Sequence, residues 1–192
     1  MRTAKVISAF PGCGKSYYYK EWSQYSPENV WRERNNGEQV FDRYGNPVGD
    51  KILDSDSSLF SWIYDENGNK TDVRNPDFPN NYIQYIKDHL HTEDIIFVSS
   101  HKIVREALEK EGIKYILIYP EIDMKDVWMD RFKKRGNDDK FIKFQEEHWD
   151  EFITDMDNET FPDKITLNWM KIGYEYISVT VIDKIMDYQE EA

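Results

Sequence analysis

Three groups of residues in this 192-residue chain combine types and spacings that can do chemistry. The first is Ala9-Phe10-Pro11-Gly12-Cys13-Gly14-Lys15-Ser16, which follows the apolar run Val6-Ile7-Ser8 and leads into an aromatic-rich helical segment. Glycines let the backbone wrap closely enough for successive amide N–H groups to face charged oxygens, and the following helix offers its positive end. The spacing fits G-x-x-x-x-G-K-[ST] except that Ala9 stands at the first position, which bears only on how tightly the loop turns. In that pattern Lys15 reaches the β- and γ-phosphates of a nucleoside triphosphate, and the Ser16 hydroxyl sits on Mg²⁺.

The second group is Asp54-Ser55-Asp56, at the end of the short apolar stretch Lys51-Ile52-Leu53. Side chains alternate along an extended chain, so the two carboxylates are expected on one side, at the strand end where open parallel sheets bind ligands. One acid would hold Mg²⁺ and the other would accept a hydrogen bond or proton from a phosphoryl acceptor. The competing reading is a local Asx turn or a cap for a helix starting near Ser58. Phe60 and Trp62 follow at spacing two, as walls for a heterocycle or as core.

The third group is basic. Arg131 and Arg135 lie four apart with Lys133 and Lys134 beside them, a concentration that stands out in a chain with 37 acids against 25 Lys and Arg. A lid over transferring phosphates would explain it, since guanidinium groups neutralise charge on the equatorial oxygens. Pairing with Asp130, Asp138 and Asp139 is the alternative. Ser99 closes an apolar strand where an acid would be usual, so metal duty falls to Asp54 or Asp56. Arg105 either faces the acceptor or makes a surface ion pair, and His101 reads as a hydrogen-bonded helix start. Cys13 is the single cysteine. A helix N-terminus lowers a thiol pKa, but a small residue filling a loop position is the favoured reading.

The elements that must position these groups follow from periodicity. Lys5 to Ser8 is a first, central strand. The next helix carries Tyr18, Tyr19, Trp22 and Tyr25 on a packed face. Residues 26–51 read as an insertion with turn signals and one hairpin arm at Glu38 to Phe41, and they contain Arg32, Arg34 and Arg43. Asp65 to Asn69 is a turn, and a helix with Ile83, Ile86 and Leu90 on one face follows. Asp94 to Ser100 is a strand buried on both faces. A helix over Lys102 to Lys110, with Ile103, Val104, Ala107 and Leu108 inward, ends at Gly112. Lys114 to Pro120 and Lys164 to Leu167 are the last strands. Phe141 to Met156 is expected as one amphipathic helix, and Tyr174 to Tyr188 as a C-terminal one.

Length and composition bound the rest. The chain fits one domain, 1–192, with a lid at about 121–140. A net charge of −12 argues against a nucleic-acid partner, and no run is apolar enough for a membrane span or leader, so a cytoplasmic location is expected. Oligomeric state is not legible.

With loop, acid pair and basic run in hand, the chain resembles small P-loop kinases of the nucleoside monophosphate kinase and shikimate kinase type. Asp54-Ser55-Asp56 looks like the D-x-D element of the shikimate and gluconate kinase branch, and Phe10 to Lys15 with Arg131 to Arg135 looks like the nucleotide kinase pattern. Leu53-Asp54-Ser55-Asp56-Ser57-Ser58 and Val98-Ser99-Ser100-His101 are similar to stretches in nucleotide-kinase-like proteins of bacteriophages and their hosts. The resemblance implies an α/β fold, the three-layer αβα sandwich of P-loop NTPases with a five-stranded parallel sheet in order 2-3-1-4-5 and a helical basic lid. It implies ATP and Mg²⁺, with Pro11, Gly12, Cys13, Gly14, Lys15, Ser16 and Tyr17 holding the nucleotide and Ser16 and Asp54 the metal. Lys15, Asp56, Arg131 and Arg135 would be catalytic, and Asp54, Asp56, Phe60, Trp62, Ser99 and Arg105 would face the acceptor. A nucleoside monophosphate is the expected acceptor. Alternatives are a hydroxyl on a nucleoside or other small molecule, with Asp56 as base, a nucleic-acid base or 5′ end, and an ATP-binding regulator without turnover.

Overall fold

Runs of apolar residues with no polar alternation form strands buried on both faces, and those strands build the central sheet. The computed structural model describes residues 3–23, 25, 40–41, 47–48 and 50–187. In chain order these form β1 (Lys5–Ala9), α1 (Lys15–Trp22), β2 (Val40–Phe41), β3 (Pro47–Val48), β4 (Ile52–Asp54), α2 (Ser58–Ser61), β5 (Trp62–Tyr64) and β6 (Lys70–Arg74). Then come α3 (Asn80–His89), β7 (Ile95–Ser99), α4 (Lys102–Lys110), β8 (Tyr115–Pro120) and a 3₁₀ turn at Ile122–Met124. The chain continues with α5 (Lys125–Lys134), α6 (Asp139–Glu147), α7 (Trp149–Asp157), β9 (Asp163–Leu167) and α8 (Val179–Asp187). The fold is α/β. Its five-stranded parallel sheet has the order β4-β7-β1-β8-β9 and is flanked by helices. Counted within the sheet, that order is 2-3-1-4-5.

The chain divides into two compact units, one of Met1–Ser8 with Ser16–Tyr115 and one of Ala9–Lys15 with Ile116–Ala192. In the first, Ile95, Ile96, Phe97 and Val98 of β7 are fully buried, with Tyr82, Ile83 and Ile86 of α3. Tyr18 is the buried residue of α1 and meets Phe97 edge-on at 6.1 Å, while Tyr25 is exposed. On α4 the inward face is Val104, Arg105 and Leu108, and Ile103 is half exposed, so the helix is rotated by about one residue from the expected stripe. The Asn67-Gly68 turn joins β5 and β6 into an antiparallel hairpin, with Trp62 opposite Arg74. The hairpin arm expected near Val40 pairs with Pro47–Val48. The rest of the 26–51 insertion, including Arg32, Arg34 and Arg43, lies outside the described residues.

In the second unit all six residues of β8 are buried, and so are Trp128, Met129 and Phe132 of α5, which give that helix a packed inner face. The long helix expected from Phe141 to Met156 is two helices broken at His148, whose φ of −106° and ψ of 9° are not helical. The turn lets Trp149 bury its ring and donate its Nε1–H to the Ile122 carbonyl at 2.7 Å. The C-terminal helix begins only at Val179 because Gly173 takes a φ of +82°, and Ser178 accepts from the Val181 amide at its start. Tyr174 and Ile177 therefore belong to a loop. Among the described residues no helix is long and apolar enough to cross a membrane.

Candidate functional site

The loop after β1 can be accounted for peptide by peptide. Phe10 N–H donates to the Ile118 carbonyl of β8 at 2.9 Å, Pro11 has no N–H, and Cys13 N–H turns back to the Phe10 carbonyl at 3.2 Å. The amides of Gly12 and Gly14 have no hydrogen-bond partner among the described residues. Both glycines hold left-handed φ values, +83° and +100°, which an L side chain resists. A Cβ on Gly12 would also stand 3.0 Å from Trp128 Nε1 and 3.1 Å from Phe132. The loop thus leaves the two glycine amides unpaired among the described residues, on a backbone that glycine fits best. Lys15 Nζ lies across the loop and donates to the Ala9 carbonyl at 2.6 Å.

Two carbonyls on the outer side of the loop are taken by neighbours. Trp128 Nε1–H donates to the Pro11 carbonyl at 2.9 Å, and Ile177 N–H donates to the Cys13 carbonyl at 2.7 Å. Arg131, one turn further along α5, lays its guanidinium over the Trp128 ring at 4.1 Å and lies 6.0 Å from the Tyr176 ring. Its Nη1 is buried and has no hydrogen-bond partner among the described residues. Burial lowers the Arg131 pKa from its ordinary value, and the fields of Cys13, Tyr176 and Glu175 oppose that. A buried guanidinium N–H without an acceptor is costly, and an anion would remove the cost.

The rest of the basic run goes elsewhere. Lys134 pairs with Asp130 at 2.7 Å on the exposed side of α5, and Asp138 caps α6 by accepting from Phe141 N–H. Arg135 is exposed just past the end of α5. Cys13 is fully buried, and burial pushes its thiol up to about 12 against the pull of Lys15 and Arg131. It is a filler of the loop rather than a reactive thiol. Tyr17 points outward, 59% exposed.

At the end of β4 the acids part company. Asp54 is the last strand residue and half-buried. It has no hydrogen bond among the described residues, and its charge raises the pKa of Tyr19 on α1, after burial the second cause. Tyr19 lies one turn along α1 from Ser16, on the same helix face. Asp56 lies beyond the strand, so the alternation that would align it with Asp54 has already stopped. It is exposed, and its Oδ1 accepts from Ser58 N–H at 2.8 Å, the Asx turn that competed with the catalytic reading. Ser55 between them is buried with an Oγ that has no partner among the described residues.

Tyr82 of α3, absent from the sequence-based candidates, ties this end together. Its hydroxyl donates to the Ser55 carbonyl at 2.9 Å and accepts from Ser99 N–H at 3.3 Å. Ser8 Oγ in turn donates to the Ser99 carbonyl at 3.2 Å. Ser99 therefore works as a strand-end junction, and its Oγ accepts from His101 N–H. Burial raises the Tyr82 phenol to about 12, with smaller contributions from Asp56 and Asp54. Phe60 sits among aromatic rings, 5.1 Å from Tyr82 and 4.9 Å from Tyr85. Trp62 carries Arg74 at 3.8 Å and Lys70 at 4.4 Å over its ring. Arg105 is 3% exposed on the inner face of α4.

A cavity of about 460 Å³ in the second unit is lined by Tyr119, Glu121, Ile122, Asp123, Ile153, Thr154, Asp157 and Thr166. The Tyr119 hydroxyl donates to Asp157 at 2.8 Å inside it. No group of three or more His, Cys, Asp or Glu side chains that could hold a metal ion occurs among the described residues. No family model, curated protein or solved structure matches the chain.

Proposed function

We propose that the protein is a P-loop phosphotransferase that moves the γ-phosphoryl group of ATP to a small nucleotide, a nucleoside monophosphate. The observation that carries this reading is the loop of residues 9–16, where the Gly12 and Gly14 amides have no acceptor among the described residues and both glycines hold a left-handed backbone that a side chain resists. A buried, unpartnered Arg131 Nη1 in the same unit adds positive charge of the kind a phosphate chain satisfies. The strand order of the sheet supports a P-loop architecture.

In this reading Gly12, Gly14 and Lys15 hold the β- and γ-phosphates, and Arg131 stabilises charge that builds up as the phosphoryl group leaves. Mg·ATP supplies the reactive phosphoryl group and a metal that neutralises its oxygens. Ser16 and Asp54 would be the protein's own ligands for that metal. Asp54 is suited to the task because it is half-buried and its carboxylate has no hydrogen bond among the described residues. Asp56 helps seat the acceptor. One of its oxygens already serves the turn, and this favours an ionised phosphate acceptor, which needs no base, over a hydroxyl acceptor, which does.

The test is an ATP-consumption screen with Mg²⁺ over nucleosides, all nucleoside monophosphates and simple polyols. ADP formation with one or more monophosphates is the expected result. Consumption only with hydroxyl acceptors would move the assignment to a small-molecule kinase. Binding without turnover on any acceptor would favour a regulator.

A further inference from the structure

We infer that Trp128 is a positioning residue for anion recognition, aiming the Gly12 amide into the loop from outside while holding Arg131 in place; this rests on the phosphotransferase reading. A trans peptide carries its C=O and N–H on opposite sides, so fixing one fixes the other. The Pro11–Gly12 peptide is trans, since the cis bond among the described residues is Phe78–Pro79. Its carbonyl is held by Trp128 Nε1–H at 2.9 Å. The Gly12 N–H must then point away from Trp128, toward the concave side. The Cys13–Gly14 peptide has the same arrangement, because its carbonyl is held by Ile177 N–H at 2.7 Å. The peptide between them uses its N–H within the loop's own turn. Alternate peptides are therefore gripped by their carbonyls, and the two glycine amides are left facing inward.

The indole has other ways to satisfy a buried N–H, and a purely structural tryptophan needs only some acceptor. Trp128 is fully buried, and its acceptor is the carbonyl whose peptide partner is the Gly12 amide. The same ring carries the Arg131 guanidinium on its face at 4.1 Å. One side chain thus sets the direction of a neutral donor and the place of a charged one. Without the indole N–H, the Pro11–Gly12 peptide can rotate at little cost, because glycine accepts either orientation.

The test compares wild type with Trp128→Phe by calorimetric titration with Mg·ATP, with thermal unfolding measured alongside. Phenylalanine keeps an aromatic ring near Arg131 and removes the N–H together with part of a fully buried ring, so the unfolding measurement separates lost packing from the lost hydrogen bond. Roughly tenfold weaker binding is expected with the variant still folded, the loss of about one hydrogen bond's worth of preorganisation. Equal affinity in the two proteins would overturn the inference while leaving the phosphotransferase reading intact. No heat with wild type would overturn both. Should the variant fail to fold, the wild-type protein decides by proton–nitrogen NMR of its indole groups. The Trp128 N–H resonance is expected to shift on saturation with Mg·ATP, while that of Trp149, bonded to the Ile122 carbonyl, stays in place. An unmoved Trp128 resonance would overturn the inference.

Discussion

The loop after β1 and the turn after β4 both carry residues that the proposed function assigns to phosphate chemistry, yet they treat their polar groups in opposite ways. The first is held from outside, with Trp128 and Ile177 on its carbonyls, and two glycine amides are left without partners among the described residues. The second closes on itself. Asp56 accepts from Ser58 N–H, the Ser55 carbonyl is taken by Tyr82, and only Asp54 and the Ser55 hydroxyl stay unsatisfied among the described residues. A segment that leaves buried or converging polar groups unpaired bears a cost of a kcal/mol or more per group, which a ligand can offset. By that measure the first loop suits the proposed ligand better than the second.

The contrast sets an order of expected effects. Lys15→Ala should lower turnover by about a thousandfold or more with the far-ultraviolet spectrum unchanged, because the loop loses its only ammonium. Unchanged activity would remove the loop from the chemistry. Arg131→Ala should lower kcat by roughly a hundredfold and weaken ATP binding much less, since its Nη1 is matched to charge that grows in the transition state. A loss confined to binding would make Arg131 a ground-state anchor. Asp56→Asn isolates charge from turn geometry, because the amide oxygen can still accept from Ser58 N–H. About a tenfold rise in acceptor KM with unchanged ATP affinity is expected. No change in either constant would leave Asp56 with the turn alone.

The smallest effect concerns stability. The Cys13 thiol titrates near 9.0 when unfolded and near 12 in the folded loop, so the unfolded chain loses this proton first as pH rises. The contribution is full below pH 9 and falls away toward pH 12. At pH 10 the loss relative to pH 7 is on the order of 1 kcal/mol. Urea unfolding of wild type and Cys13→Ala at the two pH values should show the wild type losing more by that margin. Parallel losses would mean that the thiol is not held neutral by burial.

What the sequence made legible follows the same line. The glycine-containing loop of residues 9–16 is a contiguous motif, and β7 and β8 are continuous apolar runs, so local composition is enough to mark them. The bonds that aim the loop are not local: Trp128 meets Pro11 across 117 positions, and it reads in sequence as one more core aromatic on a helix. Tyr82 was hidden for the same reason, on the buried stripe of α3. Some misses had local signals. Asn67-Gly68 between Trp62-Ile63-Tyr64 and Lys70-Thr71-Asp72-Val73-Arg74 is a hairpin pattern, and Gly173 marks the late start of α8. The break at His148 had none, because spacings of three and four persist across it when both helices bury the same side.

The central claim is that the Gly12 and Gly14 amides are aimed at an anion, and the direct measurement is proton–nitrogen NMR of those two amides during titration with Mg·ATP. Downfield movement of both resonances, saturating with nucleotide and absent in Lys15→Ala at the same concentration, is the predicted result. Resonances that stay fixed while ATP is bound would show that the phosphates are held elsewhere and would contradict the account.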